Sequence, residues 1–244
     1  MKPEAQHLND GFKVKIVFED QHLLVLSKPA GLLSQGEKKG DPNLVDWLRD
    51  YLGRSYIGLI HRHDRNTSGL MVAAKRTKSA ARLTTALQEG KIRRVYHAWL
   101  CGKLAGPALW RHWLIKDENR NQVRAFHAPR ADAKEAVLSI RPLRYVSPKS
   151  TALTLAEVVL ETGRSHQVRV QCALEGYPLA GDLKYGKKTE GPCLNLIGRP
   201  ALHSAVLEFS HPMSGECCHF EEELPADMKQ LGSSMSRKQK RLIP

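Results

Sequence analysis

Between two apolar runs, Ile57–Ile60 and Leu70–Ala74, the sequence sets His61-Arg62-His63-Asp64-Arg65-Asn66-Thr67-Ser68-Gly69. Two histidines, two arginines and an aspartate in five consecutive residues after a buried strand need compensation for lost hydration. Polar residues between buried strands mark a loop at the edge of a cleft, so this density of titratable groups reads as functional. A solvated charged loop is the bland competitor. His61-x-His63-Asp64 also offers three potential metal ligands. Adjacent extended residues point to opposite faces, however, so His63 and Asp64 share one ion only if the strand has already ended.

A second stretch, Thr162-Gly163-Arg164-Ser165-His166-Gln167-Val168-Arg169, places a glycine turn ahead of a helix carrying two arginines, with structural surface arginines as the alternative. Gly181-Asp182-Leu183-Lys184-Tyr185-Gly186-Lys187-Lys188 approaches a phosphate loop, but Lys188 stands where Ser or Thr is required and no apolar strand leads into it. It predicts an irregular loop. His211-Pro212, followed by Ser214-Gly215, reads as a turn between strands.

Those segments need a scaffold, and apolar periodicity supplies one. Val14–Phe18 and Leu23–Leu26 flank Glu19-Asp20-Gln21 as a hairpin leading to the turn Lys28-Pro29-Ala30-Gly31. Asp41 as N-cap and Pro42 at the first helical position predict a helix burying Leu44, Trp47, Leu48, Tyr51 and Leu52, stopped by Gly53. Further helices are expected over Ser79–Glu89 and from a Ser165 cap to Glu175. Strands are expected at Ile57–Ile60, Leu70–Ala74, Val95–Cys101, Leu153–Glu161, Leu202–Phe209 and His219–Leu224. Helices interrupt the strands without a βαβ rhythm, which predicts an α+β fold with a mixed, largely antiparallel sheet and flanking helices. One catalytic domain is expected over 14–231, after an N-terminal extension (1–13) and before a basic, disordered tail (232–244).

The 244 residues carry 38 Lys and Arg against 25 Asp and Glu, a formal charge of +13 that suits a polyanionic partner, most often nucleic acid. No run approaches the ~18 apolar residues of a membrane helix. The polar N-terminus lacks a secretory apolar stretch, so a cytoplasmic protein is expected. Cys101, Cys172, Cys193, Cys217 and Cys218 are odd in number and scattered, and they read as reduced thiols.

The segment 61–69 resembles the His-Arg-Leu-Asp-x-x-Thr-Ser-Gly signature of the RluA-type pseudouridine synthases. Lys28-Pro29-Ala30-Gly31, Arg94-Val95-Tyr96, Thr162–Arg169, Gly176-Tyr177-Pro178-Leu179-Ala180-Gly181-Asp182 and Leu202-His203 match in the same order, so the likeness spans roughly Val14 to Leu224. It implies the pseudouridine synthase fold with a central RNA-binding cleft. It also implies a monomeric, cofactor-free enzyme, with no metal and no nucleotide, that converts a uridine of structured rRNA or tRNA to its C-glycoside. Asp64 would be the catalytic carboxylate, Arg169 its charge partner, and Tyr96 would lie against the extruded uracil. Arg62, Arg65, Arg164 and His166 would touch the RNA, with Arg62 filling the space the base leaves. His63 departs from the signature, which has Leu there, and a catalytic domain without a preceding S4-type module is expected. A catalytically silent RNA-binding protein on the same fold is the rival reading.

Overall fold

The computed structural model describes residues 6–7, 11–36, 40–147, 151–186 and 192–233. In chain order the strands are β1 (Gln6–His7), β2 (Lys13–Glu19), β3 (Leu23–Lys28), β4 (Gly58–Leu59), β5 (Ser68–Ala74), β6 (Arg93–Cys101), β7 (Ala108–Asp117), β8 (Gln122–Phe126), β9 (Lys134–Val146), β10 (Leu153–Leu160), β11 (Leu202–Ser210) and β12 (Cys217–Glu221). The helices are α1 (Leu44–Leu52), α2 (Thr77–Gln88), α3 (Gln167–Leu174) and α4 (Ala226–Ser233). The chain forms two compact units: Met1–Val95 with His203–Glu223, and Tyr96–Leu202 with Leu224–Pro244.

In the first unit the strands run β1-β2-β3-β5-β11, with β12 beside β11 and β4 beside β5. All pairings are antiparallel except β5 with β11, where His203 and Ser204 lie parallel to Ser68 and Gly69. β3 and β5 are buried on both faces, which explains their unbroken apolar runs. Leu24, Leu26, Met71 and Ala73 pack with Leu44, Trp47 and Leu48 of α1. The alternate residues Leu23, Val25, Leu70 and Val72 pack with Leu83 of α2 and with Leu207 and Phe209.

The α1 start differs from expectation. Asn43, not Asp41, is the N-cap, its Oδ1 accepting from Asp46 N at 3.0 Å, while its amide donates to the Asp41 carbonyl. One Asn side chain thus closes the turn and caps the helix, which a carboxylate cannot do. Gly53 ends it in the left-handed region at φ 58°.

In the second unit the order is β6-β10-β9-β7-β8, antiparallel from β10 through β8. Tyr96, Ala98 and Leu100 of β6 face Val168 and Cys172 of α3. Trp99 and Cys101, on the other face, pack with Met228 and Leu231 of α4, and Trp99 Nε1 donates to the Met228 carbonyl at 2.9 Å. α4 continues through buried Gly232 to Ser233, so helix occupies the first two positions expected in a disordered tail. Residues 234–244 of that tail, and Lys187-Lys188 of the phosphate-loop-like segment, lie outside the described residues.

The reading of every cysteine as a free thiol is corrected: Cys101 and Cys193 form a disulfide, their Cα atoms 5.8 Å apart across 92 residues of sequence. The pairing arises because β6 and the 3-10 turn Pro192–Asn195 meet in one core cluster, which sequence spacing does not reveal. Cys172, Cys217 and Cys218 are free, and burial raises the Cys172 thiol far above its usual range. Among the described residues no helix is long and apolar enough to cross a membrane.

Candidate active site

The charged segment lies in the first unit, between β4 and β5. It is extended, so its residues alternate: His61 and His63 are buried, Arg62 is exposed, and Asp64 is half-buried beside exposed Arg65. Thr67 N donates to the Asp64 carbonyl at 3.0 Å, folding the chain back into β5. Gly69 then passes so close to β11 that a Cβ would sit 2.3 Å from the Ser204 carbonyl, and its φ of +110° is open to glycine alone.

Lys28 holds this segment from below. Its side chain is fully buried, and its ammonium donates to the carbonyls of Pro29 (2.9 Å), Leu32 (2.7 Å) and Arg65 (3.0 Å). Three carbonyl acceptors match the three donors of an ammonium group, which makes such a burial tolerable. Gly31 N donates to the same Arg65 carbonyl at 2.9 Å. The sequence presents Lys28-Pro29-Ala30-Gly31 as a turn and as a family match, and neither assigns its lysine this anchoring role.

Burial and surrounding cations keep both histidines neutral. His61 Nε2 accepts from Val72 N at 3.3 Å, and burial, reinforced by Arg94, brings its pKa down to about 3. Burial also takes His63 well below 6.5, with further push from His61, Lys28, His203 and Arg94. The rings lie 5.2 Å apart. His61 therefore has its ring nitrogen lone pair engaged by the backbone, and the alternation turns Asp64 away from both rings, which removes the basis for a His61–His63–Asp64 metal site. Elsewhere, in the second unit, His112, His127 and Glu175 come within ligand distance of one another. There His112 Nδ1 lies 2.9 Å from Gln171 Nε2 and His112 Nε2 lies 2.8 Å from Glu175 Oε1, so both ring nitrogens of His112 are engaged by neighbouring side chains.

The second unit carries the other predicted residues. Tyr96 is buried on the β6 face against which α3 packs. Arg169, on α3, makes a two-pronged pair with Asp182: Nε to Oδ2 at 2.7 Å and Nη2 to Oδ1 at 2.9 Å. Both side chains are buried. Asp182 Oδ1 also accepts from the backbone of Lys184 and Tyr185, and the Tyr185 ring lies 5.0 Å beneath the guanidinium. Asp182 is thus a charge partner that the second unit itself gives Arg169. Sequence reading took Asp182 merely as a sign of an irregular loop, although it closes a quoted family match. The turn before it demands glycine at 181, where a Cβ would meet the Arg199 carbonyl at 2.1 Å.

Ser165 does not cap α3. The residue at the N-cap position is His166, held at φ 52°, and the side chain of Gln167 does the tying, its Oε1 accepting from Thr162 Oγ1 (2.8 Å) and Arg164 N (2.9 Å). Tyr185 OH accepts from Val123 N at 3.0 Å and lies within hydrogen-bond distance of His166 Nδ1 at 2.6 Å. Arg164 is exposed and donates through Nε to the Glu135 carbonyl. Of the predicted RNA contacts, Arg62 and Arg65 flank Asp64 in the first unit, while Arg164 and His166 precede Arg169 in the second.

Residues 22–174 match the family described as RNA pseudouridylate synthase. A Ribosomal large subunit pseudouridine synthase D of Nitrosomonas europaea is 34% identical over 240 residues, covering 93% of this chain and 67% of the relative. One from Zymomonas mobilis is 37% identical over 234 residues, covering 89% and 71%. Among solved structures, Human RNA Pseudouridylate Synthase Domain Containing 1 superposes with a TM-score of 0.71 at 22% identity, covering 86% of this chain and 83% of that one.

Proposed function

Because the chain belongs to the RNA pseudouridylate synthase family, we propose that it isomerises a uridine of structured ribosomal RNA to pseudouridine, with Asp64 as the catalytic carboxylate. The observation that carries this reading is the setting of Asp64: a half-buried carboxylate between two exposed arginines, on a segment whose backbone is anchored by a buried lysine. The relatives named for the large ribosomal subunit favour ribosomal over transfer RNA.

The reaction breaks the bond between N1 and C1′, forms one between C5 and C1′, releases the C5 proton to water and returns a proton to N1. Substrate and product are isomers, so no oxidant, group donor or nucleotide is consumed, in keeping with a cofactor-free enzyme. The step needs a carboxylate that is ionised and partly shielded from water near the sugar. Reaching that sugar in a folded RNA requires extruding the nucleotide, at a cost of a few kcal/mol that phosphate contacts offset. The +13 charge supplies them. In this reading Tyr96 lies against the extruded base, Arg169 supports the ionised carboxylate, and Arg62, Arg65, Arg164 and His166 meet the RNA. The enzyme acts as a monomer in the cytoplasm, where ribosomal RNA is assembled.

Asp64→Asn is the test. The amide is nearly the same shape but cannot act as a carboxylate, so turnover on RNA from cells deleted for the gene should vanish. RNA affinity should change less than tenfold, about 1.4 kcal/mol. Turnover near wild type would remove Asp64 from this role, and full binding without turnover by the wild-type protein would favour the silent RNA-binding reading.

A further inference from the structure

On the strand-to-helix segment that carries Lys28 and Gly31, one more side chain reaches the charged loop. Ser34 is 3% exposed. Its hydroxyl donates to the His63 carbonyl at 2.8 Å, and the His63 N–H donates back to the hydroxyl at 3.0 Å. A single hydroxyl therefore satisfies both backbone groups of one residue, as a partner strand would.

The residue clasped is the one before Asp64. On the other side, the Arg65 carbonyl is held by Lys28 Nζ and Gly31 N, and the carbonyl of Asp64 itself accepts from Thr67 N. We propose that Ser34 is a positioning residue for the isomerisation, fixing the peptide ahead of Asp64 so that its carboxylate is aimed when RNA arrives. This rests on the reading of Asp64 as the catalytic carboxylate. Ser34 acts through the backbone of residue 63, so its role is independent of whether that side chain is His or Leu.

The chemistry gives the argument its force. Buried peptide groups at His63 have no water to turn to, so loss of the hydroxyl obliges the chain to shift until they find other partners. A displacement of about 1 Å at a reacting group can cost roughly 10²-fold in rate. Lys28 and Gly31 would still secure Arg65, and Thr67 N the Asp64 carbonyl, so the loop would stay folded while the peptide ahead of Asp64 shifts. The expected signature is a loss in kcat with binding of RNA preserved.

The experiment measures tritium released from ribosomal RNA labelled with [5-³H]uridine in cells deleted for the gene, at a temperature well below melting for every variant. Ser34→Ala should lower kcat about 10- to 100-fold, with KM within about threefold and an unchanged pH profile. Ser34→Thr, which keeps the hydroxyl, should recover most of that loss. Leu83→Ala, which removes packing beneath α2, should lower the melting temperature and leave kcat near wild type, separating aim from general loosening. Should Ser34→Ala fail to fold, Ser34→Cys, similar in shape with a weak donor, takes its place under the same expectations. Unchanged kcat in Ser34→Ala overturns the proposal, as does a raised KM with intact kcat, which would make Ser34 an RNA contact. A Ser34→Thr variant as impaired as Ser34→Ala also overturns it. If Asp64→Asn turns over like wild type, the reading of Asp64 falls; if Asp64→Asn is dead and Ser34→Ala fully active, the positioning role alone falls.

Discussion

Acid should destabilise the first unit through His61 and His63. In the unfolded chain each imidazole takes up a proton near pH 6.5, whereas in the fold His61 resists until about pH 3 and His63 is also held well below 6.5. The folded pKa is depressed, so the stability is fully present above pH 6.5 and is lost as pH falls below it, down to the folded value. Each pH unit in that window costs about 1.4 kcal/mol per histidine. From pH 6.5 to 5.0 His61 alone costs about 2 kcal/mol, a large share of the ~5–15 kcal/mol that holds an ordinary domain together, and His63 adds a loss of the same sign. Urea unfolding at pH 7.5, 6.0 and 5.0, followed by circular dichroism, gives the slope. Carboxylates and other histidines titrate too, so the decisive quantity is the difference between wild type and His63→Leu. The leucine variant should lose less stability per pH unit than wild type below pH 6, and it should retain turnover. Parallel slopes for the two proteins would refute the reasoning, because His63 would then protonate in the fold as easily as in the unfolded chain.

Two further outcomes follow from groups packed at the limit of what the fold accepts. Asp182→Asn leaves the Arg169 guanidinium buried without its carboxylate and should destabilise by about 3–5 kcal/mol, read as a fall of roughly 10 °C or more in thermal melting; a melt within 2 °C of wild type, on the order of 1 kcal/mol, would mean the pair is dispensable. Gly69→Ala forces a Cβ into the Ser204 backbone at a φ of +110°, so it should yield little soluble protein and cost more than about 3 kcal/mol in urea unfolding where any is recovered.

What could be read in advance divides by how local the signal is. β3 and β5 were visible because burial on both faces leaves unbroken apolar runs, and α1 because its apolar spacing ends at a glycine. β7, β8 and β9 were not expected: their outward faces carry Arg111, Lys116, Arg124 and Arg141, and half-buried strands so rich in charge lack a clear apolar alternation. The aspartate and arginines of the candidate site came from motifs, which record residue identity in a line. Ser34, Lys28 and Asp182 were overlooked because their work depends on which carbonyl or guanidinium the fold brings to them, and that partner is up to 37 residues away. The expected helix starts lie two residues before Asn43 and one before His166, since several polar side chains in a row could have served and only the turn geometry chooses.

The parallel pairing of β5 with β11 has a consequence for synthesis on the ribosome. The strand that completes the sheet beside Ser68 and Gly69 begins at Leu202, so the first 95 residues emerge without their last partner. At about 5–20 residues per second, the wait while residues 96–202 are made is roughly 5–20 s. During it the edge of β5 that β4 covers only at Ala73 and Ala74 stays bare at Ser68 and Gly69, open to whatever lies nearby, including the same segment of a chain on the next ribosome. Crowded polysomes are thus where this protein is most exposed to aggregation, and a holding chaperone that covers residues 68–74 would protect it until the tail of the message is read.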